Sequence, residues 1–170
     1  MITKNNNKRS WYAVYVRSRH EKSVYSALLD KGIDASLPMM TVVRKWSDRK
    51  KKMQIPLFRG YVFVKIDVNI DNLNVLQTAG VVKFIGIRNK PSRIPDEQIH
   101  WMHMMMAESA TVRAEKEIPV GQRVRVMIGP FKGIKGVVRR VGSRSRLVVL
   151  IESIMQAISI DIKPEHLEKI

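Results

Sequence analysis

The 170-residue chain contains no cysteine, which excludes disulfides, a thiolate nucleophile and cysteine-ligated zinc. A reducing, cytoplasmic setting fits that absence. Long apolar runs are missing too. No stretch approaches the ~18 apolar residues of a membrane helix. The opening MITKNNNKRS lacks the apolar core of a signal peptide, so neither a membrane partner nor export is expected. Carboxylates are scarce, and none forms a convincing acid–base pair. No phosphate-cradling G-x-x-x-x-G-K-S/T loop occurs, because Gly129, Gly133 and Gly136 lie too close together and open no helix. A G-x-S-x-G elbow is absent as well. His100 and His103, in HWMH, are one helical turn apart with no third ligand near them. Surface or half-packed histidines therefore suit them better than a metal site. The methionines in 102–106 read as core filler, since Met packs irregular gaps. The expectation is a protein that is not an enzyme and carries no metal or cofactor.

What the chain has in excess is positive charge. Its 31 Lys and Arg oppose 15 Asp and Glu, giving +16 and a pI near 10.4. The excess is spread along the chain: 19 cations against 8 acids in residues 1–107, and 12 against 7 beyond. Such a balance attracts polyanions in a salt-dependent manner and points to nucleic acid or a nucleic-acid machine.

The hydrophobic pattern predicts a mixed first domain over 11–107, after a loose tail at 1–10. A strand over 11–18 places Tyr12, Val14 and Val16 on one face. Ser18 and Glu21 have the S-x-x-E spacing of a capping box for the next helix, whose stripe is Val24, Ala27 and Leu28 and whose end is Gly32. DASLPMMTVVRKW (34–46) is extended and bent at Pro38. SDRKKKMQ (47–54) reads as the polar tip of a hairpin returning along PLFRGYVFVK (56–65). That decapeptide is apolar on both parities, so either both faces are covered or an aromatic patch awaits a partner. Asp71 or Asn72 caps a short helix over Leu73, Leu76 and Ala79, closed by Gly80. VVKFIGI (81–87) is a strand, and Pro95, Asp96 and Glu97 open a helix with Ile99, Met102 and Met106 on one face. Charged 108–117 reads as a linker. Residues 118–170 show short strands between turns, as in a small barrel of about five strands. Their β-branched alternation and turn glycines agree with a barrel rather than with helices.

Five stretches in order resemble the bacterial NusG family, an N-terminal NusG-type domain followed by a KOW domain: WYAVYVRSRHEK, PLFRGYVFV, AGVVKFIG, IPDEQI and VGQRVRVMIGPFKGIKGVVRRV. LPMMTVVRK and PLF look closer to specialised paralogues, such as RfaH and the capsule-operon antiterminators, than to housekeeping NusG. The resemblance implies an α+β fold: an antiparallel-sheet α/β sandwich joined by a linker to a five-stranded SH3-like barrel.

It also implies sites. Tyr15, Phe58, Tyr61 and Phe63 match positions that meet the clamp helices of RNA polymerase's largest subunit. Phe58 lies on the opposite parity from Tyr61 and Phe63, so a bulge or bend at Pro56 or Gly60 is needed to turn all three outward. Asn72 and Asn74 are the counterparts of a gate-loop contact. Arg17, Arg19, His20 and Lys22 are either a DNA-binding helix start, reading non-template DNA, or a solvated cationic one. Nascent RNA is the alternative nucleic-acid partner. The tip 49–52 is either a solvated turn or a nonspecific electrostatic hook for DNA. In the barrel, Met155 of SIMQAIS replaces an apolar partner contact, but Gln156 and Ala157 depart from the Gly-containing pattern. That departure argues against Rho and leaves a small-subunit ribosomal protein as the implied partner. The expected function is elongation with antitermination at specific operons. The rivals are a housekeeping factor coupled to Rho and ribosome, and a KOW-type RNA-binding ribosome assembly factor.

Overall fold

A computed structural model describes residues 9–108, 112–115, 121–141 and 144–170. In chain order its elements begin with β1 (Ser10–Val16), α1 (Glu21–Asp30), β2 (Asp34–Ser36), β3 (Met39–Lys45), β4 (Lys50–Pro56) and β5 (Tyr61–Ile66). Next come α2 (Val68–Leu76), β6 (Val81–Phe84), β7 (Gly86–Ile87), β8 (Lys90–Pro91) and α3 (Asp96–Glu108). The rest is β9 (Arg113–Glu115), β10 (Gln122–Val126), β11 (Lys135–Val141), β12 (Arg144–Ile151), β13 (Gln156–Ile162) and β14 (Leu167–Lys169). The chain divides into two compact units, one comprising residues up to Leu37 with Arg59–Ile99, the other Pro38–Phe58 with His100–Ile170. The sequence reading places the hairpin and the third helix in the first domain, whereas this division assigns the hairpin and most of α3 to the second unit.

The first unit is built on a four-stranded sheet in the order β2-β5-β1-β6. β1 and β5 are its central strands and run antiparallel, with Val14 opposite Val62 and Tyr15 opposite Tyr61. Residues of even number on both strands point into one core: Tyr12, Val14, Val16, Val62, Val64 and Ile66 meet Val24 and Leu28 of α1 and Val75 of α2. Burying these side chains supplies the main driving force, roughly 1.5–3 kcal/mol each. The central strands' other face is covered only at its middle, where Ala13 and Phe63 are buried, while Trp11, Tyr61 and Lys65 are half-buried and Tyr15 is exposed. The decapeptide is therefore apolar on both parities for two reasons: its even-numbered strand residues and Phe63 are interior, and Tyr61 belongs to a partly open aromatic surface.

Three local features depart from the sequence expectation. The return strand of the hairpin is β4, in perfect register from Met39 opposite Pro56 to Lys45 opposite Lys50. Only residues 46–49 turn, with the Trp46 N–H donating to the Arg49 carbonyl at 2.8 Å, while the decapeptide supplies a turn and then β5. Cationic side chains did not prevent pairing, because both strands are exposed along their tip. Second, α2 is capped four residues earlier than the expected Asp71. Asp67 is its N-cap, accepting from the Asn69 N–H, and Asp71 accepts from the Asp67 N–H. Its buried residue is Val75, while Leu73 and Leu76 are exposed. Third, Ser18 and Glu21 form no capping box: α1 has no side-chain cap, and Ser18 instead offers its carbonyl to the His20 ring.

The second unit contains a six-stranded antiparallel sheet in the order β14-β10-β11-β12-β13-β9. One more strand than expected is present, because β9 lies inside the stretch read as linker and pairs with β13. The remainder of that stretch falls largely outside the described residues, as do 1–8 of the tail and 142–143 of a predicted turn. The GPFKG turn is present, with Gly129 at φ +89 and Gly133 at φ +93, a region that favours glycine. Val124, Val126, Leu147, Val149, Ile158 and Ile160 are buried. One charged side chain joins them. Arg146 bonds Ser159 and pairs with Asp161 across β12 and β13.

Candidate interaction site

The first unit presents Tyr15 and Tyr61 side by side. They are register partners on β1 and β5 and pack edge to face with centroids 5.8 Å apart. Tyr15 is 41% exposed and Tyr61 half-buried. Such a pair offers a large amphipathic area that loses little rotamer entropy when covered.

The turn before β5 is pinned to this pair. Gly60 adopts φ +82, and a Cβ there would stand 2.9 Å from Tyr15 Cε2. Its N–H donates to Glu21 Oε1 at 2.8 Å, and its carbonyl accepts from the Val16 N–H at 2.8 Å. Glu21, 7% exposed, thus reaches from the start of α1 to hold the turn instead of capping its own helix. The S-x-x-E spacing marked the right residue and the wrong partner, because the partner is distant in sequence.

The other expected contacts are distributed differently. Phe58 is 3% exposed and Phe63 0%. Both belong to the interior, so the aromatic surface reduces to Tyr15 and Tyr61. Gly60 does bend the chain, but it does not turn Phe58 out. Arg17, Arg19, His20 and Lys22 are all exposed, the first three in the turn after β1 and Lys22 at the start of α1. Arg19 takes φ +64, and the Arg17 N–H donates to the Gly80 carbonyl. Asn72 and Asn74 are two positions apart on one helix, roughly 200° around it, so they cannot share a face toward one partner. Asn74 is exposed, and its carbonyl accepts from Lys31 Nζ at 2.9 Å. Asn72 Oδ1 is buried without a hydrogen-bond partner. In the second unit, Met155 occupies a left-handed turn position at φ 51 and is 59% exposed.

Among the described residues no group of three or more His, Cys, Asp or Glu is placed to hold a metal. Partial desolvation of its ring, and then the charge of His100, lowers the pKa of His103, a residue exposed on α3. No described helix is long and apolar enough to cross a membrane.

The profile of the family described as "Transcription termination factor nusG" matches residues 9–103, more than half of the chain. This chain belongs to the NusG family. A Borreliella burgdorferi protein named "Transcription termination/antitermination protein NusG" is 25% identical, over 95% of this chain and 99% of its own. Its Pseudomonas aeruginosa namesake is 27% identical over the same shares. Among solved structures, "Domain interaction in Thermotoga maritima NusG" covers 98% of the chain at TM-score 0.58 and 22% identity, a likeness of fold. The NusG match thus spans the sheet that carries the tyrosine pair as well as the cationic turn beside it.

Proposed function

We propose that this NusG-family protein is a transcription elongation factor that docks on RNA polymerase through Tyr15 and Tyr61 and favours readthrough over termination. The observation that carries the reading is the surface tyrosine pair, with Tyr15 exposed and Tyr61 half-buried, held by the Gly60–Glu21 bond and succeeded in the chain by four exposed residues, Arg17, Arg19, His20 and Lys22. An apolar docking point with adjacent cations suits a protein machine that encloses nucleic acid, because the aromatic rings supply affinity and the charges supply attraction. Docking acts by favouring one conformational population of the polymerase, with no covalent step. The largest subunit's clamp helices are the partner of the tyrosines, and non-template DNA that of Arg17, Arg19, His20 and Lys22. Asn74, the exposed asparagine of α2, is the candidate for the gate loop.

The antitermination half of the reading rests on the turn around Met155. An apolar side chain is presented there, but Gln156 and a buried Ala157 follow it in place of a glycine. A factor that occupies the polymerase without recruiting Rho lets transcription continue. The relatives' names embrace both termination and antitermination, so a Rho-coupled role is the competing reading. Core RNA polymerase should be retained by the wild type at ~0.15 and ~0.5 M salt, since specific docking outlasts charge attraction. The Tyr15→Ala/Tyr61→Ala variant should be retained at least about tenfold less. In transcription with Rho, added protein should increase readthrough. Unchanged retention of the double variant refutes the docking site, and increased termination refutes the antitermination role.

A further inference from the structure

The β3–β4 hairpin carries a cationic surface of its own. Six of the nine residues in 44–52 are Lys or Arg, and Asp48 is the only acid among them. The strand register sets Arg44 opposite Lys51 and Lys45 opposite Lys50. Like charges therefore face each other on two successive rungs, which point to opposite faces of the ribbon. Directly opposed like charges destabilise a strand pair, and a two-stranded ribbon has little stability to spare. None of these six side chains is in an ion pair among the described residues. The fold gains nothing from the arrangement, but a polyanion would relieve it.

Charge alone does not distinguish one polyanion from another. Trp46 does. It sits at the tip between Lys45 and Arg49, is 58% exposed, and makes no ring contact among the described residues. An indole presented this way, flanked by cations, matches what unpaired nucleotides require: a flat apolar face for a base and positive charge for the flanking phosphates. A duplex keeps its bases stacked on one another, so it would engage the cations and leave the indole unused.

We infer that the β3–β4 hairpin binds single-stranded nucleic acid, with an unpaired base stacked on Trp46 and the phosphates on either side held by Arg44, Lys45 and 49–52. Its residues are other than those of the cationic turn at Arg17. Ring stacking and phosphate attraction are common to DNA and RNA, so the shared chemistry is a phosphodiester chain with an exposed base.

The test uses the full chain and fluorescent oligonucleotides of about 15 nucleotides: oligo-dT, oligo-U and a mixed-sequence duplex, at ~0.15 M salt. Trp46→Ala should weaken binding to a single strand about tenfold, within the range of a lost base–aromatic stack. Duplex affinity should stay within about twofold, and Trp46→Phe should restore most of the loss, since any aromatic face can stack. Lys50→Glu/Lys51→Glu should weaken all three complexes and flatten their salt dependence. Quenching of 2-aminopurine within the oligo-dT by wild type but not by Trp46→Ala would support the stack directly. A larger Trp46 effect on oligo-dT assigns the site to DNA, and a larger effect on oligo-U assigns it to RNA. Single-strand affinities unchanged by Trp46→Ala overturn the inference, as does an equal loss on the duplex.

Discussion

Replacing Glu21 by alanine tests whether the turn before β5 is held from α1. The carboxylate is buried, and Oε1 accepts from the Gly60 N–H at 2.8 Å. Gly60 is itself buried, so the substitution strands its amide away from solvent. A hydrogen bond to a charged acceptor contributes about 1.5–3 kcal/mol, and a buried unsatisfied donor costs a similar ~1–3 kcal/mol. These are two descriptions of one loss, so we expect about 2 kcal/mol. The lost acid at the first turn of α1 adds roughly 0.3–1 kcal/mol. Glu21→Ala should therefore destabilise the first unit by about 2–3 kcal/mol in urea unfolding followed by helical circular dichroism. Glu21→Gln, whose amide oxygen still accepts, should cost about half as much. Ser18→Ala should stay within ~0.5 kcal/mol, because its hydroxyl does not cap α1. A Ser18→Ala cost of ~1 kcal/mol, the usual value of an N-cap, with little effect of Glu21→Ala, would falsify this account in favour of a local capping box.

Other substitutions separate interior from surface. Phe63→Ala should cost ~3–5 kcal/mol in stability as a large-to-small change in the interior, whereas Tyr15→Ala should cost about 1 kcal/mol while impairing polymerase retention. Gly60→Ala combines a strained positive φ with a close approach to Tyr15, and a loss of ~1–3 kcal/mol in the same unfolding assay is expected. In the second unit, Asp161→Ala leaves the Arg146 charge buried and should cost ~3–5 kcal/mol by thermal or urea unfolding. His103 is neutral more readily in the folded state than its ordinary value of 6.5 allows. The unfolded chain therefore takes up the proton first as pH falls. The His103 contribution is fully present above pH 6.5 and declines as pH drops through the lowered folded value. Stability against pH should show this decline in the wild type and lose it in His103→Gln.

Patterns confined to neighbouring residues were legible in the sequence. The even-numbered residues of β1, the Val24 and Leu28 stripe of α1, the break at Pro38, the GPFKG turn and the short strands after Ile118 follow from side-chain period and turn chemistry, which act over a few residues. The cation excess likewise needed only counting. What the sequence left open depended on partners far along the chain. Glu21 could cap α1 or reach Gly60, and 39 positions separate the bonded pair. Phe58 and Phe63 have the composition of a docking patch and of a core alike, because the hydrophobic effect has no direction, and only burial in the folded chain assigned them to the interior. Asn72 and Asn74 looked like one contact until α2 began at Val68 and turned them to opposite faces. Trp46 drew no attention among its lysines until the register of β3 and β4 placed it at the hairpin tip. Local period fixed which residues point together, and tertiary packing decided which of those faces remained open to a partner.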